Sequence, residues 1–193
     1  MNDDYKKLQI EGSDWSYGSA WGDQMADAIS SWFIPQIEKE SSVLDVGCGE
    51  GRGLDILRAS GFKKIAGVDI ALDKLNKATH SLHYVIDCDF HCLDSVFARK
   101  QFDYTFTSHT LEHAYDINKA FKSIEYVTAK KTFFIVPIGE TPKLVKKINP
   151  SHTCPFEDKK QIEYILNSLG YSYELTEKKR MCREVWGIIK YEK

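Results

Sequence analysis

Val43-Leu44-Asp45-Val46-Gly47-Cys48-Gly49-Glu50-Gly51 decides how this chain is read. A short apolar run gives way to glycines at positions 47, 49 and 51, and GRGLDILRAS follows with helical spacing. Strand, glycine turn and helix in that order let a backbone bend tightly and approach a ligand closely. Twenty residues beyond Gly49 stands Asp69, at the end of a second apolar run, KIAGVDI. A carboxylate there can accept both ribose hydroxyls of an adenosine.

The same rhythm continues outward from this motif. After KIAGVDI the spacing predicts a helix in ALDKLNKATH and a third strand in HYVIDC. A helical or irregular stretch near 91–99 leads to a fourth strand, FDYTFTSH. Apolar residues from Leu111 to Val127 predict one amphipathic helix over 111–129, and KTFFIVPIG predicts the fifth strand. A loop rich in Pro and Lys comes next. FEDKKQIEYILNSLG predicts a helix stopped by Gly170. YSYELTEKK and EVWGIIKYE then predict a terminal hairpin. The fold class is α/β: a Rossmann-like, seven-stranded, mostly parallel sheet with helices on both faces and an antiparallel hairpin last. Ligands of such sheets bind beyond the strand C-termini where strand order reverses. That places the chemistry near 47–53, 69–73, 87–91, 108–113 and 137–155.

Two details choose the ligand. The glycines are spaced G-x-G-x-G, not the G-x-G-x-x-G of dinucleotide loops. Carboxylates also flank them, Asp45 before and Glu50 within. A pyrophosphate would be repelled there, whereas the sulfonium and ammonium of S-adenosylmethionine are favoured. VLDVGCGEG followed by GVDI resembles the class I S-adenosylmethionine-dependent methyltransferases. FDYTFTSHTLEH is similar to the fourth-strand motif of the group within that family that carries Leu-Glu-His. NPSHTCPFEDKKQIEYILNSLGY resembles, more loosely, a late segment of bacterial members that modify small molecules.

The resemblance implies roles residue by residue. Gly47, Cys48 and Gly49 line the methionine and ribose of the cofactor, with Asp45 near its ammonium. Asp69 holds the ribose, Ile70 lies on the adenine, and Asp89 and Phe90 meet the adenine amino group and ring. Asp87 is the substitute for Asp89 if the register slips by two. Ser108 and His109 lie beside the sulfonium. For the acceptor, His109, His113 and His152 are the candidate catalytic residues, because a general base is worth about 10²–10⁴-fold with a hydroxyl nucleophile. Among them His109 and His152 are placed toward the acceptor, and His113 in an orienting role. These residues and Glu112 also make a possible set of metal ligands; no metal is expected.

The first forty residues stand apart as a helical, aromatic lid (1–40) on the cofactor-binding domain (41–193). Residues 20–34 have a helical apolar face, broken at Pro35. Trp15, Tyr17 and Trp21 are expected to cover the cofactor or stack on the acceptor. At 193 residues and a net charge of −2, the chain suits one domain and presents no basic platform for nucleic acid. Its five cysteines include no C-x-x-C pair, which fits a reduced, cytoplasmic setting. The N-terminus lacks the charged-then-apolar form of a signal peptide, and no membrane partner is expected. The leading expectation is methylation of a small-molecule acceptor at oxygen or nitrogen. The alternatives are a non-catalytic, cofactor-binding subunit of a methyltransferase complex and an RNA 2′-O-methyltransferase. Oligomeric state stays open.

Overall fold

A computed structural model describes residues 3–12, 20–71 and 84–191. Seven strands form one sheet: β1 (Ser42–Val46), β2 (Lys64–Asp69), β3 (Tyr84–Asp87), β4 (Phe102–Ser108), β5 (Thr128–Ile138), β6 (Ser172–Lys179) and β7 (Arg183–Lys190). Their order is β3-β2-β1-β4-β5-β7-β6. The first five run parallel, and β7 lies antiparallel between β5 and β6. The sheet is the Rossmann-like, mostly parallel one expected, with the terminal hairpin in place. Strand order reverses between β1 and β4, which opens a crevice at their C-terminal ends.

The described α-helices are α1 (Asp3–Gly12), α2 (Ala20–Ala28), α3 (Arg52–Ala59), α4 (Ile117–Val127), α5 (Pro142–Ile148) and α6 (Lys159–Ser168). Side chains alternate across the sheet, so a continuous apolar run feeds two cores. In β5, Phe133 and Ile135 join Phe33, Leu54 and Leu57 on one face. Phe134 and Val136 join Phe121, Ile124 and Leu166 on the other. As the 20–34 periodicity predicts, α2 runs on through a π turn (Ile29–Phe33) and a 3₁₀ turn holding Pro35, with Ala28, Ile29 and Phe33 buried.

Some expectations need revision, and others fall outside the described residues. The single helix over 111–129 is divided: Leu111–His113 make a 3₁₀ turn, and α4 starts only after Asp116. Asp116 accepts the Lys119 amide at 3.0 Å and caps α4, so the earlier apolar residues pack without belonging to it. Residues 128–130 extend β5 instead of the helix. The loop after β5 contains α5, which Thr141 caps and Pro142 begins. The helix expected in ALDKLNKATH, and the lid residues Trp15 and Tyr17, lie outside the described residues.

Gly187 of β7 faces Phe134 of β5, and a Cβ there would meet the Phe134 ring at 2.1 Å. Phe134 belongs to the core of Phe121 and Ile124, so Gly187→Ala should cost about 1–3 kcal/mol by overpacking, read as a lower urea midpoint.

Candidate active site

The glycine turn is built by left-handed backbone. Gly47, Gly49 and Gly51 have φ of 77°, 52° and 84°, a region that side-chain-bearing residues avoid. The Gly47 and Cys48 amides donate to the Val68 carbonyl at 2.8 and 3.0 Å, which ties the turn to the end of β2. Asp69 then accepts the Gly49 amide at 2.9 Å and the Ala71 amide at 2.9 Å. Gly47, Gly49, Asp69, Ile70, Phe90 and Ser108 all border one cavity at the C-terminal edge of the sheet.

Helices from the N-terminal segment roof this cavity. Tyr5 and Gln9 of α1 and Trp21 and Met25 of α2 line it. The Tyr5 hydroxyl donates to the His113 carbonyl at 2.7 Å, and Gln9 Nε2 donates to the Ser151 carbonyl at 3.0 Å. Arg180, before β7, donates to the Gln24 carbonyl at 2.7 Å and so fastens α2 to the hairpin.

Beneath the roof lies a buried group of histidines and carboxylates. His109 adopts φ of 52°, unusual for a residue with a side chain. Its Nε2 meets Glu184 Oε1 at 3.0 Å, its Nδ1 lies 3.5 Å from Glu112 Oε1, and its ring sits 5.3 Å from that of Trp21. Burial disfavours the imidazolium, but the carboxylates of Glu112, at ion-pair distance, and Glu184, hydrogen-bonded, overcome this and raise His109 to about 9. Burial would likewise raise Glu184; hydrogen bonds from His109, Arg180 and Trp186 lower it to about 2. His113 also borders the cavity. Its Nδ1 donates to the Ser151 carbonyl at 2.9 Å, leaving the lone pair on Nε2. Burial pushes His113 below the ordinary histidine value.

Most of the residues the sequence nominated border one cavity, and three, Asp45, Asp89 and His152, do not line it. Gly47, Cys48, Gly49, Asp69, Ile70, Phe90, Ser108, His109 and His113 border the cavity. Asp45 does not: it is buried behind the turn, and a Cβ on Gly53 would come within 2.4 Å of its Oδ2. Burial, with the nearby Asp69 charge, raises Asp45 to about 7, so it is a weaker source of negative charge than its place in the motif suggests. Glu50 and Asp69 supply the acid edge of the cavity instead. Asp89 is turned to His91, whose amide and Nδ1 it holds at 2.9 and 2.6 Å. Its substitute Asp87 pairs with Lys6 at 2.9 Å. His152 is buried outside the cavity wall, with Nδ1 at 2.8 Å from Glu140 and Nε2 at 2.7 Å from Asn149. Sequence reasoning overlooked Thr110, Arg180 and Glu184. Thr110 lies within the fourth-strand motif beside His109, whereas Arg180 and Glu184 lie in no motif and are brought to the site by the terminal hairpin.

These features suit a cationic nucleoside. The floor is bare backbone, the edge carries two carboxylates, and Arg52 and Arg180, which also line it, are paired with Asp23 and Glu184. Comparison with known proteins agrees. Residues 44–136 match the family profile described as a methyltransferase domain. No curated protein matches the chain. Among solved structures it is similar to a SAM-dependent methyltransferase from Archaeoglobus fulgidus, with 19% identity, 87% of this chain and 93% of that one covered, and a TM-score of 0.67. It is also similar to phosphoethanolamine N-methyltransferase 2 of Haemonchus contortus, solved with phosphomonomethylethanolamine and S-adenosylhomocysteine (16%, 96% and 56%, 0.70). A third is a chain from the Haloferax volcanii complex of the Trm112 methyltransferase activator with a methyltransferase (12%, 100% and 100%, 0.72). At such identities the likeness is one of fold.

The buried Asp45 gives a pH signature. Its folded value of about 7 exceeds the ordinary 3.8, so the native state keeps a proton the unfolded chain has released. The stability Asp45 contributes is therefore present below 3.8 and lost as pH rises to about 7. Denaturant melts of wild type and Asp45→Asn from pH 4 to 8 should show the wild type losing ground to the variant over that window.

Proposed function

We propose that this chain, whose residues 44–136 match a methyltransferase-domain profile, is a class I, S-adenosylmethionine-dependent enzyme that methylates a small-molecule acceptor at oxygen or nitrogen. The observation that carries this reading is the roof: α1 and α2 are hydrogen-bonded across the cavity mouth, over a wall that ends at His113. A roofed cavity favours an acceptor small enough to be enclosed. The Haemonchus contortus neighbour, which holds a small phosphorylated amine, supports the same class.

When bound, S-adenosylmethionine supplies an activated methyl group, so the protein has mainly to position the nucleophile and exclude water. Gly47 and Gly49 offer backbone to the donor's amino-acid and ribose end, and Asp69 offers carboxylate oxygens to the ribose. Ile70 and Phe90 form the apolar walls for the adenine. On the acceptor side, Tyr5, Trp21 and Met25 shed water from the site. His113 Nε2 accepts the hydrogen of an acceptor hydroxyl or amine and turns its lone pair toward the donor. His109 is clamped between Glu112 and Glu184 and acts as a positioning residue for the loop after β4. The segment 1–40 is the lid, and 41–193 the catalytic domain. All five cysteines are free, which supports a reducing, cytoplasmic compartment; among the described residues no helix is long and apolar enough to cross a membrane.

Incubation of the purified chain with labelled donor and a panel of small hydroxyl and amine acceptors tests the proposal. Turnover on at least one is expected, and His113→Gln should lower kcat by about 10²–10⁴-fold with donor affinity unchanged. Inactivity across the panel, together with a tight complex to a second protein, would favour the cofactor-binding subunit, a reading the Haloferax volcanii complex keeps in view. Asp69→Ala should weaken donor binding by about 1–3 kcal/mol in calorimetry, through lost hydrogen bonds to a charged acceptor.

A further inference from the structure

We propose that Glu112, His113 and His152 form a binding site for one divalent first-row transition metal ion of the zinc or cobalt kind. Their ligand atoms lie within 4.8 Å of one another. Two imidazoles and a carboxylate are a donor set such ions take, with bonds of about 2.0–2.2 Å for zinc. Small side-chain shifts would close the set around an ion.

Glu112 shows that something belongs here. Its side chain is 0% exposed, and neither oxygen has a hydrogen-bond partner. The nearest donor, His109 Nδ1, is 3.5 Å away. An ionised carboxylate in that condition is costly, and a protonated one would still need an acceptor for its hydrogen. A cation between Glu112 and the two imidazoles satisfies the oxygens directly.

The histidines are already oriented as ligands. The Ser151 carbonyl can only accept, so the proton of His113 sits on Nδ1 and Nε2 carries the lone pair. Glu140 does the same for His152, accepting from Nδ1 at 2.8 Å. Metal-bound histidines are commonly held in this way, with the second ring nitrogen donating to a carbonyl or carboxylate. The His152 Nε2 lone pair now receives the Asn149 amide at 2.7 Å, a loop side chain that an ion can displace. The neighbouring group of His109, Cys182 and Glu184 is a poorer site. Glu184 already accepts from His109, Arg180 and Trp186, and the Arg180 guanidinium would repel an ion. The proposal departs from the sequence reading, which expected no metal.

Three protein ligands leave a position open, and His113 brings that position to the cavity wall. An ion there takes up the His113 Nε2 lone pair. In the loaded protein the ion, in place of His113 itself, would bind and polarise an oxygen of the acceptor, which narrows the acceptors to molecules with an ionisable or chelating oxygen. This last step rests on the small-acceptor reading; the ion site does not.

The untagged full chain, stripped with a chelator, is titrated with Zn²⁺ by calorimetry and with Co²⁺ by visible absorption. One ion per chain is expected. Glu112→Gln and His152→Ala should abolish stoichiometric uptake, Glu140→Gln should weaken it about 10–100-fold, and Cys182→Ser should leave it unchanged. Zn²⁺ should also raise the melting temperature of the wild type but not of Glu112→Gln, which is isosteric and remains folded without the buried charge. A wild type that takes up no ion, uptake that survives Glu112→Gln, or uptake lost with Cys182→Ser overturns the site. Turnover of the metal-free protein is measured separately, so an absent ion and a wrong acceptor class are told apart.

Discussion

The rest of the site depends on the Val68 carbonyl, which accepts from both the Gly47 and Cys48 amides. Those two bonds fold the turn after β1 back onto β2 and force positive φ at Gly47, where a Cβ would also strike Thr110 at 2.1 Å. The constraint spreads to positions without left-handed backbone. Gly53 lies against Asp45, and Gly67 lies against Cys48 and Leu54; a Cβ at either would approach within 2.4 or 2.7 Å. Small residues are thus required on three elements so that one backbone turn can sit deep enough to leave a cavity above it.

This explains which parts of the fold were legible. Glycines forced by close approach are visible in any sequence, as are strands long enough to fill two cores, such as the alternating Phe133 to Val136. The helix over 111–129 misled because its periodicity is real but tertiary: Leu111 and Ala114 are buried in the same core as Phe121 and Ile124 without sharing their helix. What divides them is a single capping carboxylate, Asp116, and capping is a local competition that hydrophobic spacing does not register.

Within the site, residue type was legible but side-chain direction was not. Asp45 and Asp89 were assigned to the cofactor because carboxylates adjoin the strand ends, yet one is turned into the core and the other to His91. The histidines change order for the same reason. His109, the expected acceptor-facing group, is held between two carboxylates, whereas His113, the candidate expected to orient, lines the cavity with its Nδ1 committed to the Ser151 carbonyl and its Nε2 lone pair unused by it. The partner that decides this, Glu184, lies 75 residues from His109 and reaches it only because β7 inserts beside β5. No local spacing encodes that contact.

That insertion also joins the roof to the floor. Glu184 holds His109 on one side and Arg180 on the other, and Arg180 holds the Gln24 carbonyl next to Met25 on the cavity wall. His109 stands beside Thr110, whose hydroxyl donates to the Val46 carbonyl directly before the glycine turn. A continuous set of hydrogen bonds and backbone therefore runs from α2 through the hairpin to the glycine turn. Through the Arg180 contact to Gln24 and the Trp21 ring 5.3 Å from that of His109, α2 and the loop after β4 share their packing. Through Glu184 and Arg180 the last two strands border the site, although none of the recognisable motifs lies in them.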